Sequence, residues 1–506
     1  MKKYFMGIDI GTQESKGVII DENCELIAKF ATKHGLSNPK PRYYEHDAEK
    51  IWWNDLCIIS KELLKMTGIP NTQIAGFGAS CLGSDCLPVD ENCTPLRPAI
   101  LYGIDTRATE EVKEITAHFG EKRIIEIFGR PMTAGDQIAR VLWIKKNEPE
   151  VYNRTYKFIT GSTFLTAKLT GKFFIDAYLS KAYHPIYTAE EIGEPDFLSM
   201  ICRRDQVADI REANEVVGTV TAKAAAETGL AEGTPVITGM DDAVAESVST
   251  GVIVPGKSTI MLGTSCCLYA CTDKPFQDPQ NRFPCIRYVV PGTYSFSGAT
   301  NNAGGMSTWL RDKLYPETIQ KQQETGKNAF DIMLEGLDDI PAGSDGLIAL
   351  PYFSGERTPL NDPLARGVLF GLTLNHTRDH IHKAILEGVS MGIAVHYDIM
   401  EEIGVDVEEI RVVGGGTKNP IWLQILADCI GKPVHTAKVT IGASYGDAIT
   451  AALATGVYKD YADLYRVIKP GKTIEPIPAN VAKYNEIKPI FHELYAKTKD
   501  LMHKLS

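Results

Sequence analysis

The chain has 506 residues, too many for one ordinary core, so two or more domains are expected. A hydrophobic fraction of 44% and a charged fraction of 23% are those of a soluble globular protein. A formal net charge of −11 argues against nucleic acid or an anionic membrane as the main partner. No apolar run approaches the ~18 residues of a membrane span. The N-terminal MKKYFMGIDIG loses its apolar character at Asp9, too soon for a signal peptide. Eleven cysteines without C-x-x-C spacing fit a reduced, cytoplasmic setting.

The first predicted element is a tight β-hairpin. In YFMGIDIGTQESKGVIIDENCELIA, Phe5 and Ile8 precede, and Val18 and Ile20 follow, a tip holding Asp9, Gly11, Thr12 and Gln13. Gly11 can simply supply a positive φ at the tip. Alternatively, backbone N–H groups, a hydroxyl and a short carboxylate converge there on a phosphate and its metal ion. TQIAGFGAS then reads as a strand with a glycine turn, and RPAILYGIDTRATEEVKEITAHFG as strand, loop and helix. TPVITGMDDAVAESVSTG is a strand running into a helix that begins near Asp241. Asp241 is there either a plain N-cap or a base at a strand-to-helix junction, and Asp242 beside it leaves the choice open.

Residues 252–257 form the expected connection between two halves. After them, GVIVPGKSTIMLGTSCCLYACTD repeats the plan of the first hairpin: apolar strand, Gly-Thr tip, apolar strand. Two copies of one unit suggest a duplicated α/β fold with a cleft between its halves, in which phosphate is held from both sides. Cys266, Cys267 and Cys271 alternate as in a buried strand and read as structural. Thr377 is a good N-cap for a helix with the apolar face Ile381, Ile385, Leu386 and Val389. His376, His380 and His382 therefore read as its solvated start and not as a metal cluster.

Several blocks, in order from GIDIGTQ to about Gly456, resemble the FGGY carbohydrate kinases. GIDIGT and the later GTS match the two phosphate loops of that family, and GMDDA matches its Gly-x-Asp catalytic element. RVVGGGTKNPIWLQILADCIGKPV matches its C-terminal signature. YFSGERTPLNDPLARGVLFGL and LRPAILYGIDTRA, with Asp105 and Arg107, are similar to the xylulokinase-like branch. NNAGGMSTWLRD resembles the segment before the nucleotide site.

The resemblance implies a two-domain, duplicated actin-like (ribonuclease H-like) ATPase fold with an inter-domain cleft, shared with hexokinases, chaperone ATPases and actin. Residues 1–250 would be the sugar-side domain and 251–506 the nucleotide-side domain, with a tail over 457–506 that has room to pack back on the body. It implies ATP and Mg²⁺ as cofactors, and a ketopentose, or another ketose or polyol, as the partner phosphorylated. No nucleic acid or membrane partner is expected, and a homodimer is compatible with it. An ATPase acting through protein partners is the competing class. Asp241 would be the base and Asp9 would place the metal shell through water. Thr12, Gln13 and Thr264 would face phosphate. Gly304, Thr308, Gly415, Gly416 and Asn419 would border the nucleotide. Gly83, Ser84, Asp105, Asp241 and Asp242 would meet the sugar.

The chain also departs from the family. Gly83 and Ser84 in GASCLGSDCLPVD stand where xylulokinases carry Met-His, so a different sugar pocket is expected. Asp176 aligns with the family's Thr-Asp element only through an insertion, and Arg140 replaces a signature lysine. Asp242 replaces an amide, so it only accepts hydrogen bonds while ionised.

Overall fold

A computed structural model describes residues 2–128, 131–187 and 199–505. Contacts divide the chain into two compact units that do not follow a single cut in the sequence. The first comprises residues 1–253, 287–293 and 441–468; the second comprises 254–286, 294–440 and 469–506.

The first unit is built on a sheet that begins with the expected hairpin. Tyr4–Ile10 pairs antiparallel with Glu14–Asp21, which pairs antiparallel with Leu26–Lys33. On its other side Tyr4–Ile10 runs parallel to Ile74–Cys81, which runs parallel to Pro235–Ile237, and antiparallel Val216–Thr219 closes the edge. Met240–Asp241 pairs parallel with the end of Ile74–Cys81, in the register Met240 with Ser80 and Asp241 with Cys81. Ile8, Trp52, Phe77 and Phe164 lie in a core on this sheet. Burying one such side chain contributes about 1.5–3 kcal/mol.

The second unit repeats this topology. Lys257–Leu262, Cys266–Thr272 and Tyr294–Thr300 form an antiparallel meander. Lys257–Leu262 also runs parallel to Glu409–Val413, which runs parallel to Val434–Ala437, followed by antiparallel Pro470–Ile474. The hairpin plan read from the sequence is thus the start of a repeated sheet. Cys266 shares the buried face of its strand with Leu268 and Ala270, Cys271 is buried on the opposite face, and every cysteine is a free thiol.

The chain after residue 440 serves both units. Residues 441–468 return to the first, while Pro470–Ile474 and the helix Pro478–Lys504 belong to the second. Tyr484, Ile487, Phe491 and Leu494 form the buried stripe of that helix, and Tyr484 Oη donates to Glu387 Oε1 at 2.9 Å. Among the described residues, no helix is long and apolar enough to cross a membrane.

The returning helix Ala443–Ala454 packs unusually close, because glycines face it and it carries one itself. A β-carbon on Gly7 would sit 2.0 Å from the Ser444 carbonyl oxygen, and one on Gly78 would sit 2.7 Å from that of Asp447. On the helix, a β-carbon on Gly446 would sit 1.9 Å from the Ala245 carbonyl oxygen. Gly446→Ala is therefore expected to destabilise the protein. Overpacking against backbone costs about 1–3 kcal/mol or more, which outweighs the ~1 kcal/mol gain in helix propensity. Urea unfolding checks this as a lower midpoint at unchanged slope; an unshifted midpoint would contradict the packing described.

Candidate active site

In the first unit the parallel register sets Asp9 beside Ser80, with Asp241 one position beyond at the end of the next short strand. Asp241 is also the N-cap of the helix Asp242–Ser249: its Oδ1 accepts from Ala243 N at 3.0 Å and Val244 N at 3.1 Å. The capping alternative is therefore real, yet it occupies only one oxygen. Oδ2 stands over Gly83, where a β-carbon would lie 1.8 Å away. Glycine at this point leaves room for the carboxylate of Asp241. Ser84, at φ 66°, follows in the left-handed region. Asp242 Oδ1 accepts from Ala243 N at 2.8 Å.

These acids crowd one another. Burial pushes Asp9 up to about 7, against the Ser80 hydrogen bond and the Lys16 charge, with Glu246 and Asp241 pushing further. Asp241 is raised by burial, partly offset by the Lys16-like pull of Lys181 and by its two capping N–H groups. Asp242 is raised well above the carboxylate range by burial, then by Asp241 and Asp9. Glu246 is one helical turn after Asp242, and the sequence reading missed it; the i, i+4 spacing was its only signal. Among the described residues, no three side chains of the metal-binding types form a self-sufficient cage. A bound Mg²⁺ would take one or two of these carboxylates and complete its shell with phosphate and water.

Other expected residues are placed differently. Asp105 is fully buried, and both its oxygens are taken by Arg107, by Arg107 N at 3.0 Å and by Tyr44 N at 2.7 Å. It fastens the loop and presents no free oxygen to a sugar. Arg140 is buried, donating to the carbonyls of Ser84 at 2.5 Å and Tyr102 at 2.6 Å, so it holds the Ser84 turn. Asp176 Oδ1 accepts from Tyr178 N and Leu179 N, while Oδ2 has no hydrogen-bond partner; burial, against those N–H groups, brings it to about 7. Thr12 Oγ1 lies 3.2 Å from Tyr102 Oη, and Gln13 is exposed at the tip.

The tip is braced by a residue with no sequence motif. His34 faces an acceptor at each ring nitrogen: Asp55 Oδ2 at 2.8 Å from Nδ1 and the Gly11 carbonyl at 3.1 Å from Nε2. Only the imidazolium donates to both. Burial opposes this charge, but the hydrogen bond and charge of Asp55 and the backbone carbonyls outweigh it and raise the His34 pKa.

In the second unit a cavity of about 700 Å³ is lined by Thr264, Gly304, Gly415, Gly416 and Asn419, all expected from the sequence. Gly304 N donates to the Gly263 carbonyl at 2.8 Å, which ties the Gly-Thr tip to the helix Gly304–Leu314. Asn419 caps the helix Pro420–Ile430 by accepting from Trp422 N at 3.0 Å. Gly416 packs on Leu262 and Trp422, whereas Gly415 faces open space. Thr308 is exposed and is absent from the cavity wall; Ser307, one residue earlier on the helix, supplies the hydroxyl there. His382 departs from the expected solvated helix start: it is 1% exposed, lines the cavity, and is held neutral by burial with a pKa of about 4. Phe330 and Met333 complete the apolar wall from a segment without a motif.

The sequence matches the family model for the N-terminal domain of the FGGY family of carbohydrate kinases over residues 4–249, and that for its C-terminal domain over 258–455. The chain belongs to the FGGY family of carbohydrate kinases, enzymes that phosphorylate a sugar hydroxyl with ATP and a divalent metal. It is 27% identical over 508 residues to a xylulose kinase of Bacillus subtilis, covering 99% of this chain and 98% of that one. A gluconokinase of the same organism is 25% identical over 496 residues, covering 98% and 96%. The crystal structure of a xylulose kinase from Rhodospirillum rubrum is similar with a TM-score of 0.88 at 28% identity, over 99% of this chain and all of that one. The fold is the two-domain actin-like ATPase fold of these kinases.

Two outcomes follow from this geometry. Gly83→Ala is expected to displace the Asp241 carboxylate and lower kcat about 10²-fold, because a ~1 Å misplacement costs that much, with the melting temperature nearly unchanged; wild-type kcat would contradict the contact. For His34, a raised pKa means that its stabilisation is complete below 6.5 and is lost as pH rises through the higher folded value. Thermal melts should show the wild type losing its advantage over His34→Gln as pH increases above 6.5; a constant difference would contradict an imidazolium at the tip.

Proposed function

We propose that this kinase phosphorylates a ketopentose of the xylulose type, with the sugar and metal taken by the first unit and the adenine nucleotide by the second. The observation that carries the reading is the divided carboxylate of Asp241. One oxygen is fixed by two helix N–H groups, and the other stands over Gly83 with space for a hydroxyl. In this role Asp241 Oδ2 accepts the proton of the attacking hydroxyl, and its raised pKa brings it closer to the range where a general base works best. Asp9 would hold the metal when it is bound, and Thr12, Gln13 and Thr264 would hold phosphate oxygens. Gly304, Gly415, Gly416 and Asn419 border the base and ribose. Bound Mg²⁺ supplies charge neutralisation on the transferring phosphoryl group. Gly83, Ser84 and Asp242 line the acceptor side. Free thiols throughout support a cytoplasmic setting.

The ketopentose reading is supported by full-length similarity to xylulose kinases. A sugar acid is the second reading, favoured by the Lys181 charge that acts on Asp241 and by the similarity to a gluconokinase. ADP release with Mg-ATP across pentuloses, polyols, hexoses and gluconate decides between them. A preferred pentulose standing far above the rest is expected, and best turnover with gluconate would replace the reading. Asp241→Asn should lower kcat by ~10²–10⁴ while ADP binding, followed by calorimetry, stays unchanged. Asp242→Asn should retain turnover; the reverse pattern would move the base by one residue.

A further inference from the structure

The helix Ala443–Ala454 carries an acid into the interior of the first unit, beneath the metal-side carboxylate. Asp447 is fully buried, its Oδ2 lies 2.7 Å from Ser80 Oγ, and its Oδ1 has no hydrogen-bond partner. The same Ser80 Oγ lies 3.1 Å from Asp9 Oδ1. Asp9 and Ser80 face each other across parallel strands, and the approach of the helix at Gly7 and Gly78 fixes the depth of Asp447. A serine hydroxyl has one proton, so it donates to only one of these two carboxyl groups. With both acids ionised, the second short contact would set a lone pair against a carboxylate. Both contacts are hydrogen bonds only if one acid brings its own proton.

The structure identifies the acid that holds the proton. An unpartnered oxygen at full burial is tolerable on a neutral carboxyl group and strongly disfavoured on an ion. Asp9, in contrast, is only half-buried, and its Oδ1 has the Ser80 hydroxyl within reach. We propose that Asp447 is a positioning residue: a neutral carboxylic acid whose Oδ2–H donates to Ser80 Oγ, which turns the Ser80 O–H onto Asp9 Oδ1 and fixes that carboxylate toward the metal. Burial pushes the acidity of Asp447 in the required direction, well above the usual carboxylate range. The proposal rests on the metal-side reading of Asp9.

The test uses the full-length protein with Mn²⁺ and ADP as probe, free Mn²⁺ being followed by electron paramagnetic resonance. Asp447→Asn keeps a group that donates to Ser80, so its Mn²⁺ affinity should stay within about twofold of wild type. Asp447→Leu and Ser80→Ala break the chain and should weaken Mn²⁺ binding about tenfold or more, the range of losses for partners of metal ligands. Metal-free ADP binding should be unchanged in all three. Should Asp447→Leu fail to fold, Ser80→Ala tests the same link from its other end. A loss in Asp447→Asn as large as in Asp447→Leu, or wild-type affinity in Ser80→Ala, overturns the proposal. Infrared difference spectra of metal-free wild type against Asp447→Asn should show a protonated-carboxyl band at neutral pH, where an ordinary carboxyl group is ionised. Carboxylate bands there overturn the proposal, whereas absence of Mn²⁺ binding by the wild type, with the protonated band present, removes only the role given to Asp9.

Discussion

The site depends on one register of parallel pairing. Asp9 sits opposite Ser80, and Ser80 opposite Met240, so the carboxyl ends of three adjacent strands finish together with Asp9 and Asp241 at their tips. Open α/β sheets bind ligands at such ends because loops and helix N-termini leave unpaired polar groups there. A slip of one residue would turn Asp9 to the opposite face of the sheet and carry Ser80 away from both acids. Burial of Ile8, Ile10 and Phe77 on the core side holds the register against that slip. The core therefore stabilises the geometry of the chemistry, although none of its side chains takes part.

Duplication gave the chain two copies of that frame, and their chemistry has diverged. The tips share Gly-Thr, at Gly11–Thr12 and Gly263–Thr264, but where the first copy has Asp9 the second has Met261. The first unit therefore gathers Asp9, Asp241 and Asp242 near its tip. The second surrounds its tip with Leu262, Phe330, Met333 and Trp422, an apolar cavity suited to a flat aromatic base.

Much of this was legible in the chain. The two hairpins, the helix starting at Asp241 and the glycine-rich turn at Gly415 are short-range patterns whose physics is local: alternation, capping and the space left by a missing side chain. Ser307 was missed for Thr308 because adjacent residues on a helix point about 100° apart, and a motif locates the turn but not its rotation. Asp105 is in the expected loop, but Arg107 and the Tyr44 backbone saturate its oxygens, and no local pattern reports that. His382 looked solvated from its place in a first helical turn, yet the cavity wall buries it.

By itself the sequence determined the repeated strand-turn-strand plan, the identity of the residues at each tip and the acid that begins the helix after Met240. These follow from contacts within a few residues. Only the tertiary structure decided that the uncapped oxygen of Asp241 stands over Gly83, why position 83 is glycine, and that residues 441–468 come back to lay Asp447 under Ser80. Those outcomes depend on groups more than a hundred residues apart coming into contact, where a single methyl group determines what fits.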